Sequence, residues 1–553
     1  MSSATVEKGP AAEPRQSTFL VIAGSTAGTI FEWYDFFIFG SLTTVIAAHF
    51  YSNVGEARAF LFALLTFAAG FAVRPIGALV FGHVGDRVGR KRAFLITISF
   101  MGLATFSIGL LPDYRALGVT AAFILIGLRF LQGFAVGGEY GGAAIYVAEH
   151  ASAKSRGLAT SWIQISASVG LVLALGVILV TRTLLGETVF AAWGWRLPFL
   201  GSVLLLILSV WIRLRIAESP VFRKLEEENR RARQPLAEAF LRWPNLKLVL
   251  LVLVGLLMSQ GVVWYTAEFY TLFFLQNVIK VDAVTVNLLL LVASAIGILL
   301  HGVFGWISDF IGRKPVMLFG LALAALTFVP AFPWLAEAAN PALTEAAARS
   351  PVTVSADPAN CSLQFDLVGK TKFVSACDIA KSALANAGIP YLNKVAAGPT
   401  TVVTVGDKKI TSPDGRGLSA AQLKAARALF ETKLKSALAA ASYPLKAPKA
   451  DVDEARVLAI LVLLIGAAAA LYGPQAAALV EFFPARIRYS ALSLPYHVGV
   501  GWFGGFLPAI AFALVTATGN IYAGAWYPAI VAAIGFFVTL FFLPETRGRD
   551  ISV

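Results

Sequence analysis

The sequence predicts an all-α membrane protein with twelve transmembrane helices in two six-helix halves and a periplasmic insert between helices 9 and 10. Apolar residues make up 58% of the 553 residues, twelve apolar stretches are long enough to cross a bilayer, and one loop motif occurs twice. Charged residues make up only 14%, against about 25% in soluble domains. We therefore expect one polytopic bundle rather than a chain of soluble domains.

Apolar runs of about 20 residues or more mark the predicted spans, because a helix of that length crosses the hydrocarbon core. A helix also satisfies its backbone hydrogen bonds without water. Residues 1–17 are polar and the apolar run after them is longer than a signal-peptide core, so we expect no cleavable signal peptide. The spans are predicted at 18–47, 59–82, 92–111, 118–148, 158–185, 195–215, 246–275, 285–308, 315–335, 455–480, 488–516 and 524–543.

The distribution of Lys and Arg predicts the orientation. Loops after even-numbered spans are rich in both, whereas the short loops on the other side hold only Arg58, Arg115, Arg182, Arg196 and Lys280. The positive-inside rule then places both termini and the central loop in the cytoplasm of a bacterial-type inner membrane. The net charge of +13 fits this placement better than a nucleic-acid surface. The basic loop residues are Arg87, Arg90, Lys91, Arg92, Lys154, Arg156, nine from Arg213 to Lys247, Arg313, Lys314, Arg486 and Arg488.

These expectations divide the chain into seven segments. The tails, residues 1–17 and 544–553, and the central loop, 216–245, are expected to be cytoplasmic. The first half covers 18–215, and the second half covers 246–335 and 455–543. Residues 336–454 form the insert.

An internal repeat supports the division into two halves. The stretch GHVGDRVGRKRAFL at 82–95 recurs as GWISDFIGRKPVML at 305–318. Each copy links the second and third spans of its half. Two related halves are the architecture of a transporter that rocks around a central site.

The insert is predicted to be a small α/β cap. Residues 402–415, VVTVGDKKITSPDG, alternate and end in turn residues, which favours a hairpin. Residues 418–441 have helical spacing of apolar residues. Cys361 and Cys377 lie here, and an oxidising compartment favours a disulfide between them, with free thiols as the alternative.

Several motifs together carry a family resemblance. They are the G-x3-D-R-x-G-R-K-R loop that begins at 82, EWYDF in the first span, RPIGA at 74–78, RFLQGFAVGGEYGGA at 129–143, AESP at 217–220 and LVEFFPARIRYSA at 479–491. With them the chain resembles the major facilitator superfamily and its metabolite:proton symporter branch. That branch holds transporters of 2-oxoglutarate, citrate, shikimate, proline and betaine. The resemblance covers nearly all of 18–335 and 455–550, does not extend to the insert, and does not select a substrate.

Charged residues at the predicted cytoplasmic ends of the spans are expected to form gates. Asp86 is predicted to cap a neighbouring helix and to pair with a basic residue, which would latch the two halves in the outward-facing state. For the two copies of the repeated loop, the alternative is anchoring by positive charge alone. For Glu149, Arg156, Glu481 and Arg486, the alternative is plain surface charge. The remaining gating candidates are Arg87, Arg90, Lys91, Glu149, Arg156, Asp309, Arg313, Glu481 and Arg486.

Ionisable residues inside the spans are functional candidates, because a charge at mid-bilayer must be paired, neutralised or hydrated. Asp35 opens a D-x4-G element and Arg129 opens R-x3-G-x3-GG; both resemble sugar-porter elements in which an arginine faces a proton-exchanging aspartate. We expect Asp35 and Arg129 to approach within about 6 Å in at least one state. Asp35 is the predicted proton carrier, a static ion pair is the alternative, and Glu32 ranks second.

The candidate substrate site combines basic, acidic and neutral groups. Two arginines, Arg74 and Arg129, would suit a carboxylate, but acidic neighbours leave a zwitterion open. Glu139 lies among small residues, so a packing role is as well supported as a transport role. The remaining candidates are Gln164 and Gln260, which match sugar-porter ligand positions, with Trp264, Tyr265, Glu268, Tyr496, His497 and His301; the histidines more often serve as helix–helix hydrogen-bond partners.

The predicted function is proton-coupled symport of a small organic acid or related metabolite by a monomer in the lipid bilayer. A proton-independent facilitator, a symporter of a zwitterion or compatible solute, and a membrane sensor are the alternatives. The sequence lacks a P-loop and any catalytic-triad or metal-ligand pattern, which disfavours an enzyme or an ATP-driven pump. No cofactor, metal or nucleic-acid partner is expected.

Overall fold

The computed structural model describes residues 18–52, 56–215, 217–365, 373–444 and 446–552. Within them, ten helices are long and apolar enough to cross a membrane. An eleventh span is a pair of helices with a sharp bend between them. The 32-residue helix Glu56–Arg87 lies between the first and third spans and is the twelfth. The predicted all-α membrane fold is confirmed.

We number the spanning helices H1 to H12. They are H1 (Thr18–Ser41 continued by Thr43–Phe50), H2 (Glu56–Arg87), H3 (Arg90–Leu110), H4 (Val119–His150), H5 (Arg156–Leu185), H6 (Arg196–Arg215), H7 (Trp243–Val278), H8 (Ala283–Ile311), H9 (Arg313–Ala339), H10 (Glu454–Phe482), H11 (Arg488–Thr518) and H12 (Ala523–Phe542). We call the end of the bundle where H1 begins and H12 ends the terminal end, and the opposite end the insert end.

Some helices depart from ideal α geometry. H1 bends by 63° just after Gly40 and Ser41, and Gly/Ser pairs are common sites of sharp kinks. H7 contains π-helical turns at Leu253–Leu257, Thr266–Tyr270 and Phe274–Val278, and H11 has one at His497–Gly504. Such turns often occur at functional sites. H9 ends at Ala339 rather than at the predicted residue 335.

Glycines allow H2 and H4 to pack closely. A Cβ atom added to Gly77 would collide with the backbone of Phe134, and one added to Gly133 would collide with the backbone of Gly70. Small residues let helix backbones approach in a membrane, where packing drives association. This contact brings the polar side chains of H2 and H4 close to one another.

The two halves meet mainly through H2 against H11 and H5 against H8. Both contacts are tight at the terminal end. A Cβ on Gly85 would overlap the Tyr489 ring, and a Cβ on Gly157 would lie 2.5 Å from the carbonyl oxygen of Gly305. The terminal end of the interface is therefore closed in this structure.

The insert contains the predicted hairpin and helix, together with elements that were not predicted. Strands β1 (Val352–Ala356), β2 (Tyr391–Val395), β3 (Val402–Val405) and β4 (Lys408–Thr411) form a sheet in the order β2-β1-β3-β4. β1 and β2 are parallel, and the β1–β3 and β3–β4 pairs are antiparallel. The insert helices are Pro341–Arg349, Ala376–Ala387 and Ala420–Ala440.

The insert is fastened to the second half. Tyr391 donates its backbone N–H to the carbonyl of Gly519 at 2.9 Å and its hydroxyl to the carbonyl of Thr516 at 2.6 Å. Lys280, after H7, donates to the carbonyl of Asn386 at 3.1 Å. The insert therefore bridges the ends of H7 and H11. Within it, Cys361 and Cys377 form the predicted disulfide.

Five arginines that the orientation argument counts as loop charges lie inside the protein. Each is at most 4% exposed and is hydrogen-bonded or ion-paired to buried groups. They belong to the interior of the terminal end rather than to its surface, so their count overstates the surface charge of the loops. These residues are Arg90, Arg156, Arg213, Arg313 and Arg488.

Candidate functional site

Asp35 is held inside the first half by groups from H3 and H4. The carboxylate is 3% exposed and lies 3.5 Å from Nη1 of Arg129, so the expected contact is present. Thr105 donates to Oδ1 at 2.8 Å and Gln132 donates to the same oxygen at 2.7 Å. Arg129 also donates to Oε1 of Gln132 at 2.7 Å and lies over the Phe39 ring.

Thr105 and Gln132 were not predicted as site residues. Gln132 follows Arg129 by three positions on H4, so the two share a helix face, and that spacing could have identified it. Thr105 also accepts from Gln132 at 2.9 Å. These neutral donors keep hydrogen bonds to Asp35 that do not depend on Arg129.

Glu32 lies on H1 near the interface between the halves. Its side chain is 8% exposed, and its strongest attractive charge interaction is with Arg74 of H2. The Arg74 guanidinium also lies 4.2 Å from the centroid of the Phe71 ring. Arg74 also interacts electrostatically with Asp35 and Arg129, so Glu32, Asp35 and the two arginines form one set of interacting charges.

Glu139 joins three helices of the first half. Its Oε1 accepts from Nη2 of Arg213 on H6 at 2.6 Å, and its Oε2 accepts from Thr97 on H3 at 2.9 Å. Arg213 also lies 3.4 Å from the centroid of the Phe94 ring. This geometry agrees with the interhelical hydrogen-bond interpretation of Glu139, and it identifies a buried partner, Arg213, that was counted as a loop charge.

Aromatic side chains connect H1 and H7 across the two halves. The rings of Trp33 and Trp264 have centroids 5.4 Å apart, and those of Phe37 and Phe269 are stacked at 6.2 Å. Tyr265 stacks on Phe269 at 5.5 Å. Trp264 and Tyr265, both predicted for the substrate site, therefore lie at the interface between the halves.

A second aromatic contact crosses the interface between H4 and H11. Tyr140 and Tyr496 are stacked with ring centroids 3.7 Å apart. Gln164 of H5 donates to the Tyr140 hydroxyl at 2.9 Å, and the hydroxyls of Tyr472 and Tyr496 are 3.1 Å apart. The predicted candidates Gln164 and Tyr496 thus both contact Tyr140, and Tyr496 also contacts Tyr472. Neither Tyr140 nor Tyr472 was predicted.

The remaining predicted substrate residues lie on H7, H8 and H11 of the second half. Ser294 of H8 donates to Glu268 of H7 at 2.9 Å. Gln260 and His497 are at most 3% exposed, and each has a buried polar atom without a partner among the described residues. His301 is hydrogen-bonded to a carbonyl of its own helix, so the structure does not show it joining two helices.

The first copy of the repeated loop caps a helix of the other half. Asp86, at the end of H2, accepts from the backbone N–H groups of Tyr489 at 3.1 Å and Ser490 at 2.8 Å, at the start of H11. Arg90 lies 3.4 Å from Asp86 and donates to the carbonyl of Ala485 at 2.6 Å. A carboxylate at a helix N-terminus satisfies free N–H groups and favours the helix dipole.

The second copy makes the reciprocal contact. Asp309, at the end of H8, accepts from the backbone N–H groups of Gly157 at 2.8 Å and Leu158 at 2.9 Å, at the start of H5. Arg313 pairs with Asp309 at 2.6 Å. Each half therefore caps a helix of the other half at the terminal end.

Two buried glutamates complete these contacts. Arg488 of H11 reaches Glu149 of H4 at 2.6 Å, and Arg156 of H5 reaches Glu481 of H10 at 2.8 Å. Arg313 lies 3.3 Å from Glu481. Both glutamates thus accept charge-assisted bonds from the opposite half, a strong type of hydrogen bond.

The other predicted gate residues lie outside this buried set. Arg486 pairs with Glu238 of the central loop and is exposed, whereas Arg488, two residues later, is the buried arginine that bridges the halves. Arg87 is exposed. The backbone N–H of Lys91 contacts the Glu218 carboxylate at 3.1 Å, so Glu218 caps H3.

The segments after H6 and H12 repeat the same arrangement. Glu545 accepts from the backbone N–H of Arg313 at 3.0 Å and so caps H9 as Glu218 caps H3. Ser219, next to Glu218, donates to Glu149, and Thr546, next to Glu545, donates to Glu481 at 2.8 Å. The Glu-Ser and Glu-Thr pairs after corresponding helices were a sequence signal for this repeat. In the described part of the chain, no group of three or more His, Cys, Asp or Glu residues is placed to hold a metal ion.

Comparison with known proteins agrees with this architecture. The sugar (and other) transporter family matches residues 20–242 and 437–552, which is more than half of the chain. The shikimate transporter of Escherichia coli (strain K12) is 36% identical over 314 residues, 56% of this chain and 70% of that protein. The proline/betaine transporter of the same strain is 34% identical over 322 residues, 56% of this chain and 63% of that protein.

Solved structures show the same fold at low sequence identity. A double-tryptophan mutant of XylE superposes with a TM-score of 0.62 at 15% identity, covering 97% of this chain and 98% of the other. The proton:xylose symporter XylE bound to 6-bromo-6-deoxy-D-glucose gives a TM-score of 0.59 with the same identity and coverage. The family match, the relatives and the twelve-helix fold lead to one conclusion: this chain belongs to the sugar (and other) transporter family of the major facilitator superfamily.

Proposed function

We propose that this protein moves a small organic acid or related metabolite together with protons across the inner membrane by alternating access. The observation that carries the proposal is the buried Asp35–Arg129 pair with its neutral donors Thr105 and Gln132. An ionisable pair inside a spanning helix marks a proton or ion pathway by default. Relatives named as shikimate and proline/betaine transporters support a small polar solute.

Asp35 takes the role of proton carrier. While Arg129 lies beside it, the charged carboxylate is stabilised by the ion pair and two neutral hydrogen bonds. A conformational change that moves Arg129 away leaves an uncompensated charge in a low-dielectric site, which is costly. Protonation of Asp35 removes that cost, so proton uptake is tied to the change of conformation.

The substrate occupies the space between the halves in this proposal. Arg74 supplies a cationic group for a carboxylate, and Gln164, Gln260 and Tyr496 supply neutral polar contacts. Such a site is mostly apolar with a few convergent polar groups.

The helix-capping contacts of Asp86 and Asp309 act as the terminal-end gate in this proposal. Together with the Arg488–Glu149 and Arg156–Glu481 bridges they hold this end closed, and opening it would require all of them to break. The terminal end is proposed to face the cytoplasm, as the basic loops predict.

Uptake into proteoliposomes tests the proposal. The panel is labelled 2-oxoglutarate, citrate, shikimate, proline, betaine and glucose, with an imposed proton gradient. We expect one compound to accumulate in the wild type and Asp35→Asn to lower that accumulation at least about tenfold, as loss of a group in general acid–base transfer does. Asp113→Asn is the matched control, because Asp113 caps a short helix at the insert end and Asn is an equally good cap.

The outcomes separate the alternatives. Accumulation that survives Asp35→Asn would reject Asp35 as the carrier and move the role to Glu32 or Glu268. Equilibration without accumulation, in wild type and variant alike, would indicate a facilitator.

A symporter of a zwitterion or compatible solute is the second candidate. The aromatic contact of Trp33 with Trp264 favours it, because aromatic faces bind quaternary ammonium groups. Glu268, four residues after Trp264 on H7, would supply a carboxylate for the cationic group of such a solute. Accumulation of betaine or proline, but of no acid in the panel, would support this candidate over the first.

A further inference from the structure

Polar residues recur along one face of H1. The residues of this row are Ser25, Gly28, Glu32 and Asp35, at intervals of three, four and three positions. Residues at such intervals share a helix face. The side chains of Ser25, Glu32 and Asp35 are each at most 8% exposed. At about 1.5 Å per residue, the row extends about 15 Å from Asp35 towards the terminal end, which is further than the Asp35–Arg129 pair alone requires.

H4 turns a matching row of polar residues towards H1. Arg129 and Gln132 contact Asp35, and Glu139 follows Gln132 by seven positions on the same face. A Cβ atom added to Gly28 of H1 would lie 2.8 Å from Oε1 of Glu139, so the two rows meet again there. H1 and H4 run in opposite directions, which places Glu139 nearer the terminal end than Asp35. We call these two rows the polar seam, formed by Ser25, Glu32, Asp35, Arg129, Gln132 and Glu139.

Glu32 lies between the two points where the rows meet. It interacts electrostatically with Asp35 and with Glu139, and on H1 it is three residues after Thr29 and three before Asp35. Successive carboxyl groups of the polar seam are therefore about one helical turn apart, roughly 5 Å along the axis. A single water molecule can carry a proton across such a gap. The three carboxyl groups thus form one series inside the first half.

A small cavity lies where the polar seam approaches the terminal end. It has a volume of about 10 Å³ and is lined by Ser25, Lys91, Phe94, Tyr146 and Arg213. About 10–15 Å³ is the smallest space that holds a water molecule. The Ser25 hydroxyl is buried and has no hydrogen-bond partner among the described residues. Lys91 is half-buried at the start of H3, so the cavity lies between buried Arg213 and the surface of the terminal end.

Glu139 differs from the buried glutamates of the gate in its charge partners. Glu149 and Glu481 are each paired with two arginines, whereas Arg213 is the one arginine paired with Glu139 in the described part of the chain. The charged or titratable groups that face Glu139 are Arg213 of H6, Glu32 of H1 and Tyr489 of H11. A shift of Arg213 alone therefore leaves Glu139 free to bind a proton, as proposed for Asp35.

We propose that Glu139 is a second proton-carrying group, which receives the proton of Asp35 by way of Glu32 and releases it at the terminal end. Protonated Asp35 gives its proton to the Glu32 carboxylate, Glu32 gives it to Glu139, and Glu139 gives it to water at the cavity. In each step one O–H bond breaks and another forms, and the donor returns to a carboxylate. The polar seam belongs to the first half, so the route avoids the interface that the helix caps close. The inference rests on the proposed proton coupling.

Chemical labelling of the wild type tests the protonation of Glu139 without a known substrate. Dicyclohexylcarbodiimide modifies carboxyl groups that become protonated in apolar surroundings. In the purified protein in detergent we expect it to modify Asp35 and Glu139, and to do so faster as the pH is lowered. Glu149 and Glu481 should stay unmodified, because each is held by two arginines. Mass spectrometry of the digested protein identifies the modified residues, and an unmodified Glu139 would overturn the proposal.

A transport assay tests the role of that proton. Glu139→Gln keeps the size of the side chain and an acceptor for Arg213 but cannot carry a proton. For the compound that the wild type accumulates, we expect it to lower gradient-driven accumulation at least about tenfold. Counterflow, which exchanges labelled for unlabelled compound without net proton movement, should be unchanged. A purely structural role would lower both, and that result in a variant of unchanged Tm would overturn the proposal. Glu187→Gln is the control, because it removes an exposed carboxylate at the insert end and should change neither.

The proton route and the transport function fail in different experiments. Accumulation that is lost in Asp35→Asn but retained in Glu139→Gln would reject the route and leave proton coupling at Asp35 standing. Equilibration without accumulation in the wild type would reject proton coupling and the route together.

Discussion

Asp35 receives hydrogen bonds from H3 and from H4, and the donors differ in charge. Thr105 and Gln132 are neutral donors, whereas Arg129 adds a charge. A buried ion pair contributes little net stability compared with apolar residues, but removing one partner is strongly destabilising. This is why we propose a role in proton transfer for the Asp35–Arg129 pair rather than a role in stability alone.

The first prediction concerns this pair. Arg129→Ala leaves a buried carboxylate without its counter-charge, and we expect it to destabilise the protein by about 3–5 kcal/mol. Adding Asp35→Asn to Arg129→Ala removes the charge, so the double variant should have the higher Tm of the two. Thermal unfolding in detergent measures both. A double variant less stable than Arg129→Ala would contradict the ion-pair interpretation.

Two arginines at the start of H11 differ in role although their side chains are alike. Arg486 is exposed and pairs with Glu238 of the central loop, whereas Arg488 is buried and bridges to Glu149. Arg486 lies in the turn before H11, whereas Arg488 is the first residue of the helix, and packing of H11 against H4 decides which arginine enters the interface.

At the scale of elements, the helix ends at the interface are capped in a reciprocal way. The end of H2 caps H11, and the end of H8 caps H5. Each cap joins the two halves, so the halves cannot separate at the terminal end without exposing helix N–H groups. This gives the repeated loop a physical reason to occur in both halves.

The second prediction concerns the cap on H5. Asp309→Asn keeps one acceptor oxygen instead of two and loses the charge opposite Arg313. Asp309 accepts a backbone N–H on each oxygen, whereas Asn can accept only one of the two. The lost hydrogen bond costs about 1 kcal/mol, which corresponds to about a fivefold shift towards the state open at the terminal end. Ser161→Cys, placed against Gly305 beneath this cap, should then react about fivefold faster with a maleimide.

The chain offers a clean background for that measurement, because its two cysteines are bonded to each other. Asp282→Asn is the control, since Asp282 caps H8 at the insert end and should not change the labelling rate. Equal labelling with and without Asp309→Asn would show that the cap does not restrain opening.

The third prediction concerns the disulfide of the insert. The bond joins residues 16 positions apart, and a loop of that size contributes about 3 kcal/mol to stability. We expect the Cys361→Ser/Cys377→Ser variant to make the insert more sensitive to trypsin in membrane vesicles while the bundle keeps its Tm. Dithiothreitol should reproduce this in the wild type and add nothing in the variant. Unchanged trypsin sensitivity would argue against a stabilising role.

At the scale of the whole molecule, the halves touch at three levels. Polar caps join them at the terminal end, the stacked rings of Tyr140 and Tyr496 join H4 to H11, and aromatic rings join H1 to H7. The insert adds a bridge between H7 and H11 within the second half. Since these two contacts both lie in the second half, we expect the insert to move with that half as a unit.

The fourth prediction concerns the orientation of the molecule. Lys409→Cys lies on exposed β4 of the insert and Lys224→Cys lies exposed in the central loop. If the terminal end faces the cytoplasm, an impermeant maleimide labels the first variant in intact spheroplasts and the second only after lysis. The reverse pattern would invert the membrane topology and make the capped end the periplasmic gate.

Local sequence determined the helices, because the free energy of moving a segment into hydrocarbon depends on the composition of about 20 neighbouring residues. The repeat was enough to anticipate the place of the two loops. The resemblance of the D-x4-G and R-x3-G-x3-GG patterns to sugar-porter elements was enough to anticipate the Asp35–Arg129 contact. The hairpin of the insert was likewise predictable from alternation and turn residues. Its parallel β1–β2 pair was not, because that pairing joins strands far apart in the chain.

Only the tertiary structure decided which polar groups meet. Glu139 selects Arg213 from another helix, Arg488 rather than Arg486 enters the interface, and Tyr140, Tyr472 and Tyr496 converge from H4, H10 and H11. Hydropathy treats each of these residues as an isolated cost or gain of burial. The partner that offsets the cost comes from a distant segment, and its identity follows from how the helices rotate and pack against one another.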